Sequence, residues 1–262
     1  MTLTAEQIQN NWNEFLSNIE KFISPPRKEK LLSFYKKYED RLILMPASHK
    51  PQYHNCFPGG YVDHVNRVVK GALELHKVWS LMGTHETYSI EELVFSAINH
   101  DLGKLGTENE PAYIEQTDQW RRDKLGELYT YNDKIEFMSV PDRSLYFLIS
   151  EGIEFSKNEM LAIKLHDGIY DEANKPYLIN WLPEQKPRTS LVFILHHADM
   201  MASRIEFETE WLPKFEKKTL NNLDNVGKDS KIKIPMKQKV LSTVKSEGLK
   251  NAMSSFFNDG DE

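Results

Sequence analysis

The stretch of sequence that decides the fold is SIEELVFSAINHDLGK, residues 89–104. Ser89 and a glutamate three residues later have the spacing of a capping box, which starts a helix by satisfying its first backbone N–H groups. The apolar run that follows predicts a buried helix that stops at Gly103. This run closes on His100 and Asp101, although a carboxylate has the unfavourable sign at the negative end of the helix dipole. Asp101 is therefore either a surface residue or the neighbour of something positive.

The rest of the chain repeats this helical pattern. Residues 156–168, SKNEMLAIKLHDG, have the same capping start and a glycine at the end. The prolines and paired glycines of residues 45–60 indicate a loop. Strand-like alternation is nearly absent, so the predicted fold class is all-α. Further apolar residues at helical spacing predict helices over residues 4–23, 26–43, 61–83 and 188–212.

Composition limits the class of protein. The chain has 262 residues and a net charge of −6, which allows a sizeable core and weighs against a general nucleic-acid coat. Its one cysteine, Cys56, excludes an intrachain disulfide and favours a reducing compartment. The N-terminus lacks a signal-peptide pattern and no apolar run is long enough to span a membrane. We therefore expect a cytoplasmic protein without membrane contact.

Changes in composition divide the chain into three parts. We expect an N-terminal helical extension over residues 1–48, a core over residues 49–210 and a Lys-rich tail over residues 211–262. Residues 214–250 contain ten lysines against four acidic residues. Such a segment is typical of a solvated, partly disordered tail, and the alternative is that it guides an anionic partner such as nucleic acid. The sequence makes no prediction about the oligomeric state.

Several ionisable residues lie on apolar helix faces, where an unpaired charge is costly. His64 is followed by an apolar residue four and eleven positions later on the same face. His100, His166 and Asp199 have comparable positions on other predicted helices. Imidazole and carboxylate groups that converge in a helical core are typical ligands of a divalent transition metal. At the loosened end of its helix Asp101 can join this set, and a cation would supply the missing positive charge.

The order of these residues resembles that of the HD-domain superfamily of metal-dependent phosphohydrolases. His64, the HD pair at 100–101, His166 and the HHAD segment at 196–199 follow one another on separate predicted helices. The segments HNCFPGGYVDH, HDLGK and LHDG are also similar to motifs of that superfamily, and the resemblance covers about residues 50–208. It implies an HD-domain helical bundle for the core. It also implies a divalent metal cofactor, which is Mn, Fe, Zn, Ni, Co or Mg, as one or two ions.

The resemblance further implies roles for individual residues. His64, His100, Asp101 and Asp199 are the implied primary metal ligands. Asp101 would be a catalytic residue through the metal-activated water and would be able to bridge a second ion. His166 resembles a histidine that binds a second ion or contacts the phosphate of the substrate.

One feature departs from the two-ion members of the superfamily. Those members usually have a further histidine between the HD pair and the histidine that corresponds to His166, but residues 102–165 contain none. Asp142 stands near the expected place, either as an oxygen ligand or as the N-cap of the helix that contains RSLYFLIS. The number of ions therefore stays open.

Residues outside the primary metal set are candidates for contact with the substrate. Lys104 follows the HD pair and is placed to hold a phosphate as a point charge, the alternative being an exposed lysine at a helix end. His54 could act as an acid or a base or meet the substrate, the alternative being a loop histidine bonded to the backbone. Gly60, with Gly59 before it, allows a tight turn and a close approach of the substrate to the backbone.

We therefore expect an enzyme that hydrolyses a phosphoester of a nucleotide or a related small phosphorylated molecule through a metal-activated water. One alternative is an HD-type exonuclease on single-stranded nucleic acid, which the Lys-rich tail would suit. Another is a di-iron oxygenase that uses the same His/Asp scaffold, although the missing histidine counts against it. A non-catalytic binding module is the last alternative, and the intact ligand set counts against it.

Overall fold

The structure, a computed structural model, describes residues 3–85 and 87–217, and most of these residues are helical. The predicted all-α class is confirmed, whereas the HD-domain bundle stays a prediction. Residues 3–85 and 87–213 belong to one compact unit. The helices are α1 (Ala5–Phe22), α2 (Arg27–Lys37), α3 (Glu39–Leu42), α4 (Gly60–Leu81), α5 (Ile90–Asn99), α6 (Val140–Ser150), α7 (Lys157–Leu165), α8 (Lys175–Leu178) and α9 (Leu191–Glu206).

The N-terminal helices α1 and α2 share one hydrophobic core with α5, which precedes the HD pair, and with the other long helices. Trp12 and Phe15 of α1 and Tyr35 of α2 are buried in the same cluster as apolar side chains of α4, α5, α7 and α9. The Tyr35 hydroxyl donates a hydrogen bond to Asn99 Oδ1 at 2.8 Å. Since Asn99 directly precedes His100, this hydrogen bond ties the end of α5 to α2.

The predicted domain boundaries at residues 48 and 210 stay predictions. Of the predicted Lys-rich tail, only residues 211–217 are described, so its predicted disorder and its anionic partner fall outside the described part of the chain. Within residues 3–85 and 87–217, no helix combines the length and the apolar content that crossing a membrane requires.

The helix that carries the HD pair begins as predicted but ends earlier. Ser89 Oγ accepts a hydrogen bond from the Glu92 N–H at 3.1 Å, and the Glu92 carboxylate accepts one from the Ser89 N–H at 2.8 Å, so the capping box is present. The helix ends at Asn99, and a short 3-10 helix follows at Leu102–Leu105. The predicted stop at Gly103 is therefore wrong, because Gly103 lies inside that 3-10 helix.

Gly103 instead allows α6 to pack directly on the 3-10 helix. Its N–H donates a hydrogen bond to Ser144 Oγ at 2.7 Å, and the same hydroxyl lies 3.0 Å from the carbonyl oxygen of His100. A Cβ atom at position 103 would overlap the carbonyl oxygen of Val140, at the start of α6. The HD pair is thus held between α5 and α6.

A small β-hairpin interrupts the helices. The strands β1 (Tyr113–Glu115) and β2 (Tyr129–Tyr131) pair antiparallel, with Tyr113 opposite Tyr131. The sequence did not predict this hairpin, because three-residue strands are too short for an alternating pattern to be recognised. The hairpin precedes α6 in the chain.

Asp142 is not the N-cap of α6, so that interpretation is wrong. The N-cap is Ser139, whose hydroxyl oxygen accepts a hydrogen bond from the Asp142 N–H at 3.2 Å. The Asp142 carboxylate accepts hydrogen bonds from Ser139 Oγ at 2.6 Å and from Lys164 Nζ at 2.5 Å. Its negative charge also stabilises the first turn of α6.

A buried ion-pair network ties the N-terminal helices to α5 and α7. The Arg27 guanidinium donates to Glu159 at 2.7 Å and to Glu91 at 2.6 Å, and it lies 4.2 Å from the centre of the Phe95 ring. The Glu159 side chain is fully buried. Removing Arg27 would therefore leave a buried carboxylate without its counter-charge.

We expect Arg27→Met to lower the free energy of unfolding by about 3–5 kcal/mol, as is typical when one partner of a buried ion pair is lost. The matched control is Arg122→Met, because the Glu115 partner of Arg122 is 75% exposed. Loss of that exposed pair should cost less than about 1 kcal/mol. Urea unfolding measures both, and equal losses in the two variants would contradict the importance of the buried network.

Candidate metal centre

The predicted metal ligands converge at one buried point. The Nε2 atoms of His64, His100 and His166 lie 3.5, 3.4 and 3.6 Å from a carboxylate oxygen of Asp101. Asp199 Oδ1 lies 3.2 Å from His64 Nε2 and 3.9 Å from His100 Nε2. Asp199 is the most exposed of these side chains, at 16%. The structure therefore brings together the ligands that the resemblance implied, His64, His100, Asp101, His166 and Asp199.

The imidazole rings are oriented by hydrogen bonds on their outer nitrogen. Nδ1 of His100 and of His166 each donates to the carbonyl oxygen of the residue three positions earlier, at 2.7 and 2.8 Å. Because a carbonyl oxygen only accepts, these bonds place the proton on Nδ1 and leave the Nε2 lone pair facing the centre. His64 has the same arrangement, since its Nδ1 lies 3.1 Å from both carboxylate oxygens of Glu206.

These donor atoms fit a divalent metal ion. Within the described residues, the Nε2 atoms of His64 and His100 are buried and have no hydrogen-bond partner. Such atoms are rare in folded proteins and need an explanation. Groups drawn from these histidines and aspartates each offer ligand atoms within 4.8 Å of one another. Buried His and Asp side chains could therefore hold a metal ion here, and mixed nitrogen and oxygen ligands suit a borderline transition metal.

The surrounding carboxylates make His64 and His166 strongly basic. Burial alone would lower the pKa of the His64 imidazole, but Glu206 and Asp199 overcome that effect and raise the pKa to about 10. Burial also disfavours protonation of His166, yet the neighbouring aspartates raise its pKa to about 9. A proton and a metal ion therefore compete for the same Nε2 atoms.

The pKa values of the two aspartates are lowered, in contrast to those of His64 and His166. Burial would raise the pKa of Asp101, but the positive charges of Lys104 and His100 hold that pKa well below its usual range. Burial likewise opposes ionisation of Asp199, but the nearby imidazoles, above all that of His64 at 3.2 Å, outweigh it, so the pKa of Asp199 is also lowered. Both aspartates are therefore available as anionic ligands at neutral pH.

We expect metal binding to release protons and to strengthen as the pH rises. Since the folded-state pKa values of His64 and His166 exceed the ordinary 6.5, their protons stabilise the metal-free protein fully below about pH 6.5. That stabilisation is lost as the pH rises through 9 to 10. Titration calorimetry with Mn²⁺ in buffers of different ionisation enthalpy measures the release between about pH 6 and 9. A binding heat and a Kd that are independent of buffer and pH would contradict this expectation.

Glu206 is a site residue that the sequence analysis missed. Glu206 is 1% exposed, and its carboxylate also accepts a hydrogen bond from Arg67 Nε at 3.2 Å. A signal was present, because Glu206 follows Asp199 by seven positions on α9 and so lies on the same helix face. By holding Nδ1 of His64, Glu206 fixes the direction of the Nε2 lone pair and makes it a better ligand.

We expect Glu206→Gln to weaken Mn²⁺ binding by about tenfold or more, because it removes the charge that supports His64 while keeping the side-chain shape. Glu208→Gln is the matched control, since Glu208 is half exposed and pairs only with Arg204 among the described residues. Calorimetric affinities of the two variants give the comparison. Equal affinities would show that the Glu206 carboxylate has no influence on the centre.

The predicted substrate residues Lys104 and His54 adjoin the centre. Lys104 Nζ lies 2.5 Å from Asp101 Oδ2 and 3.4 Å from His54 Nε2. Lys104 is only 9% exposed, so the alternative of an exposed lysine at a helix end is wrong. The His54 ring lies 4.7 Å from the ring of His64. Burial and the nearby Lys104 charge hold the pKa of His54 well below its usual value, which leaves its imidazole neutral.

The paired glycines Gly59 and Gly60 lie at the start of α4. Gly59 has a φ of 82°, in the left-handed region that favours glycine, so it makes the predicted tight turn. A Cβ atom on Gly60 would overlap the carbonyl oxygen of Asn55. Packing of the preceding loop against α4 thus already requires a glycine at position 60. The predicted contact of Gly60 with a substrate stays a prediction.

Asp167 is a second residue that the sequence analysis missed. His166, Asp167 and Asp199 form a further group whose ligand atoms lie within 4.8 Å of one another. The signal was the LHDG segment, which places a carboxylate directly after a candidate histidine, as in the HD pair. Asp142 belongs to no such group within the described residues. The oxygen ligand proposed for position 142 is thus absent from the centre, and Asp167 is present.

Comparisons of this chain with models of protein families, with curated proteins and with solved structures found no match. The resemblance to the HD-domain superfamily therefore rests on the sequence motifs alone.

Proposed function

We propose that this protein is a metal-dependent phosphohydrolase of the HD-domain type, which cleaves a phosphoester of a nucleotide or a related small phosphorylated molecule. The observation that carries the proposal is the convergence of buried histidine Nε2 atoms and aspartate carboxylates beside a buried lysine. The motif order in the sequence supports the reaction class. The proposal includes a cytoplasmic location, which rests on the single cysteine of the chain.

In this proposal the ligands come from four parts of the fold: α4, the end of α5, the end of α7, and α9. His64, His100, Asp101 and Asp199 hold the primary ion, and His166 holds a second ion or contacts the phosphate. A divalent ion bound there lowers the pKa of a coordinated water and screens the negative charge of the phosphate. The outer hydrogen bonds of the histidines keep the ligands in place, so little reorganisation is needed during the reaction.

Lys104 and His54 act on the substrate rather than on the metal. The Lys104 ammonium lies against the Asp101 carboxylate and presents a positive charge at the edge of the centre, where it can hold a phosphate oxygen. His54 is neutral and lies beside Lys104, so it can accept a proton or orient a water molecule. The burial of Lys104 and the partial burial of His54 strengthen these electrostatic interactions.

We expect Asp101→Asn to lower phosphate release from the best substrate of a nucleotide panel by at least about a hundredfold, because a neutral amide is a poor metal ligand. Asp142→Asn is the matched control, since Asp142 lies outside the metal centre and should retain full turnover. Phosphate and nucleoside products are quantified in the presence of Mn²⁺.

Unchanged turnover in Asp101→Asn would refute the proposal. Cleavage of single-stranded nucleic acid with no activity on small nucleotides would support the exonuclease instead. Oxygen consumption with bound iron and no phosphate release would support the di-iron oxygenase. Ligand binding without turnover under any divalent metal would indicate a binding module.

A further inference from the structure

A cavity of about 330 Å³ shares Lys104 with the surroundings of the candidate metal centre, although none of the candidate metal ligands lines it. It lies between the 3-10 helix Leu102–Leu105, the β-hairpin and the start of α6. Nothing in the proposed chemistry of the ion uses this space. Its lining includes two basic side chains and four large side chains with apolar surface: Lys104, Arg143, Tyr113, Tyr131, Phe137 and Met138.

Lys104 connects the cavity to the centre. Lys104 is one of the residues that line the cavity, and its Nζ atom lies 2.5 Å from Asp101 Oδ2. A phosphate held by the Lys104 ammonium would therefore lie between the centre and this cavity. The group esterified to that phosphate would then point into the cavity.

Arg143 is a buried arginine in the wall of the cavity, and its guanidinium can donate hydrogen bonds to a ligand. The residue is 4% exposed, and it has no carboxylate at ion-pair distance within the part of the chain that the structure describes. Its guanidinium donates to the backbone carbonyl oxygens of Glu136 at 3.0 Å and of Gly103 at 3.4 Å. A guanidinium has five N–H donors, so donors remain for a ligand. By contrast, the buried Arg27 is paired with two glutamates.

The remaining walls favour a flat organic group. Tyr113 and Tyr131 lie opposite each other on the hairpin, with ring centres 6.4 Å apart. Phe137 and Met138 follow the hairpin, and Phe137 is 86% exposed. Aromatic and thioether side chains bind planar rings well. A volume of about 330 Å³ lies at the small end of ligand pockets, which suits one nucleoside and is too small for a longer strand.

We propose that this cavity binds the base of a mononucleotide substrate, with the ring against the hairpin tyrosines and Phe137 and a base acceptor atom bonded to Arg143. The inference rests on the proposed function, because it assumes that the phosphate lies at Lys104. A second phosphate is a poorer occupant, since the walls other than the two basic residues offer mainly apolar surface. Arg143 is thus a specificity residue, distinct from the metal ligands.

The test compares substrates with and without a base. The full-length protein with Mn²⁺ is assayed on the four ribonucleoside 5′-monophosphates and on ribose 5-phosphate, which has the same phosphoester and no base. We expect kcat/KM for the best nucleotide to exceed that for ribose 5-phosphate by about tenfold or more. Arg143→Met should lower this ratio about tenfold, as expected for loss of a hydrogen bond from a charged donor.

Two further variants separate the effect of a substitution on base recognition from its effect on stability. Phe137→Ala should also lower the ratio, and it should leave the stability nearly unchanged because the side chain is exposed. Arg188→Met, the same substitution at an exposed arginine outside the cavity, should leave the ratio unchanged.

Each outcome decides the inference. Equal loss of both activities in Arg143→Met would show that Arg143 only supports the 3-10 helix, and a wild-type protein that prefers ribose 5-phosphate would equally overturn the base site. If the wild type hydrolyses neither these substrates nor any other member of the nucleotide panel, the proposed function fails, and calorimetry with the same nucleoside monophosphates tests the cavity by itself. Binding that Arg143→Met weakens about tenfold would uphold the cavity as a base site, and absence of binding would overturn it.

Discussion

The constraint on which the rest of the structure depends is the burial of two carboxylates beside three imidazoles. Asp101 and Asp199 carry negative charge where helices enclose them. Lys104 offsets part of this charge at Asp101, and protons or a cation at the facing imidazole nitrogens offset the rest. The surrounding helices support this arrangement. The hydrogen bond from Tyr35 to Asn99 and the contact of Ser144 with the 3-10 helix keep the HD pair in place. A site supported in this way is organised before any ligand arrives.

Much of this architecture could be predicted because its causes are local. The capping box at Ser89 and Glu92 depends on residues three positions apart, and it is present in the structure. The inward direction of His64 follows from helical periodicity, since one face of α4 is apolar. The wrong-sign charge of Asp101 at the end of a helix was itself an indication of a positive partner. Such signals need only the neighbouring sequence.

The remaining features depend on contacts between distant residues, which sequence spacing does not encode. Glu206 reaches His64 across 142 positions of the chain, and the role of Gly103 depends on the packing of α6 against it. Asp142 was misread because Ser139, three residues earlier, takes the capping position. The hairpin strands are too short for a periodic signal, so the cavity lined by Arg143 could not be foreseen either.

The metal content of the full-length protein tests the central claim most directly. Elemental analysis of the purified protein, repeated after equilibration with Mn²⁺ and removal of free metal, measures that content. We expect about one or two divalent ions per chain, with loss of the ions to a chelator lowering the thermal stability. A protein that retains no divalent ion, and whose thermal stability is the same with Mn²⁺ and with chelator, would contradict the claim that the buried histidines and aspartates form a metal centre.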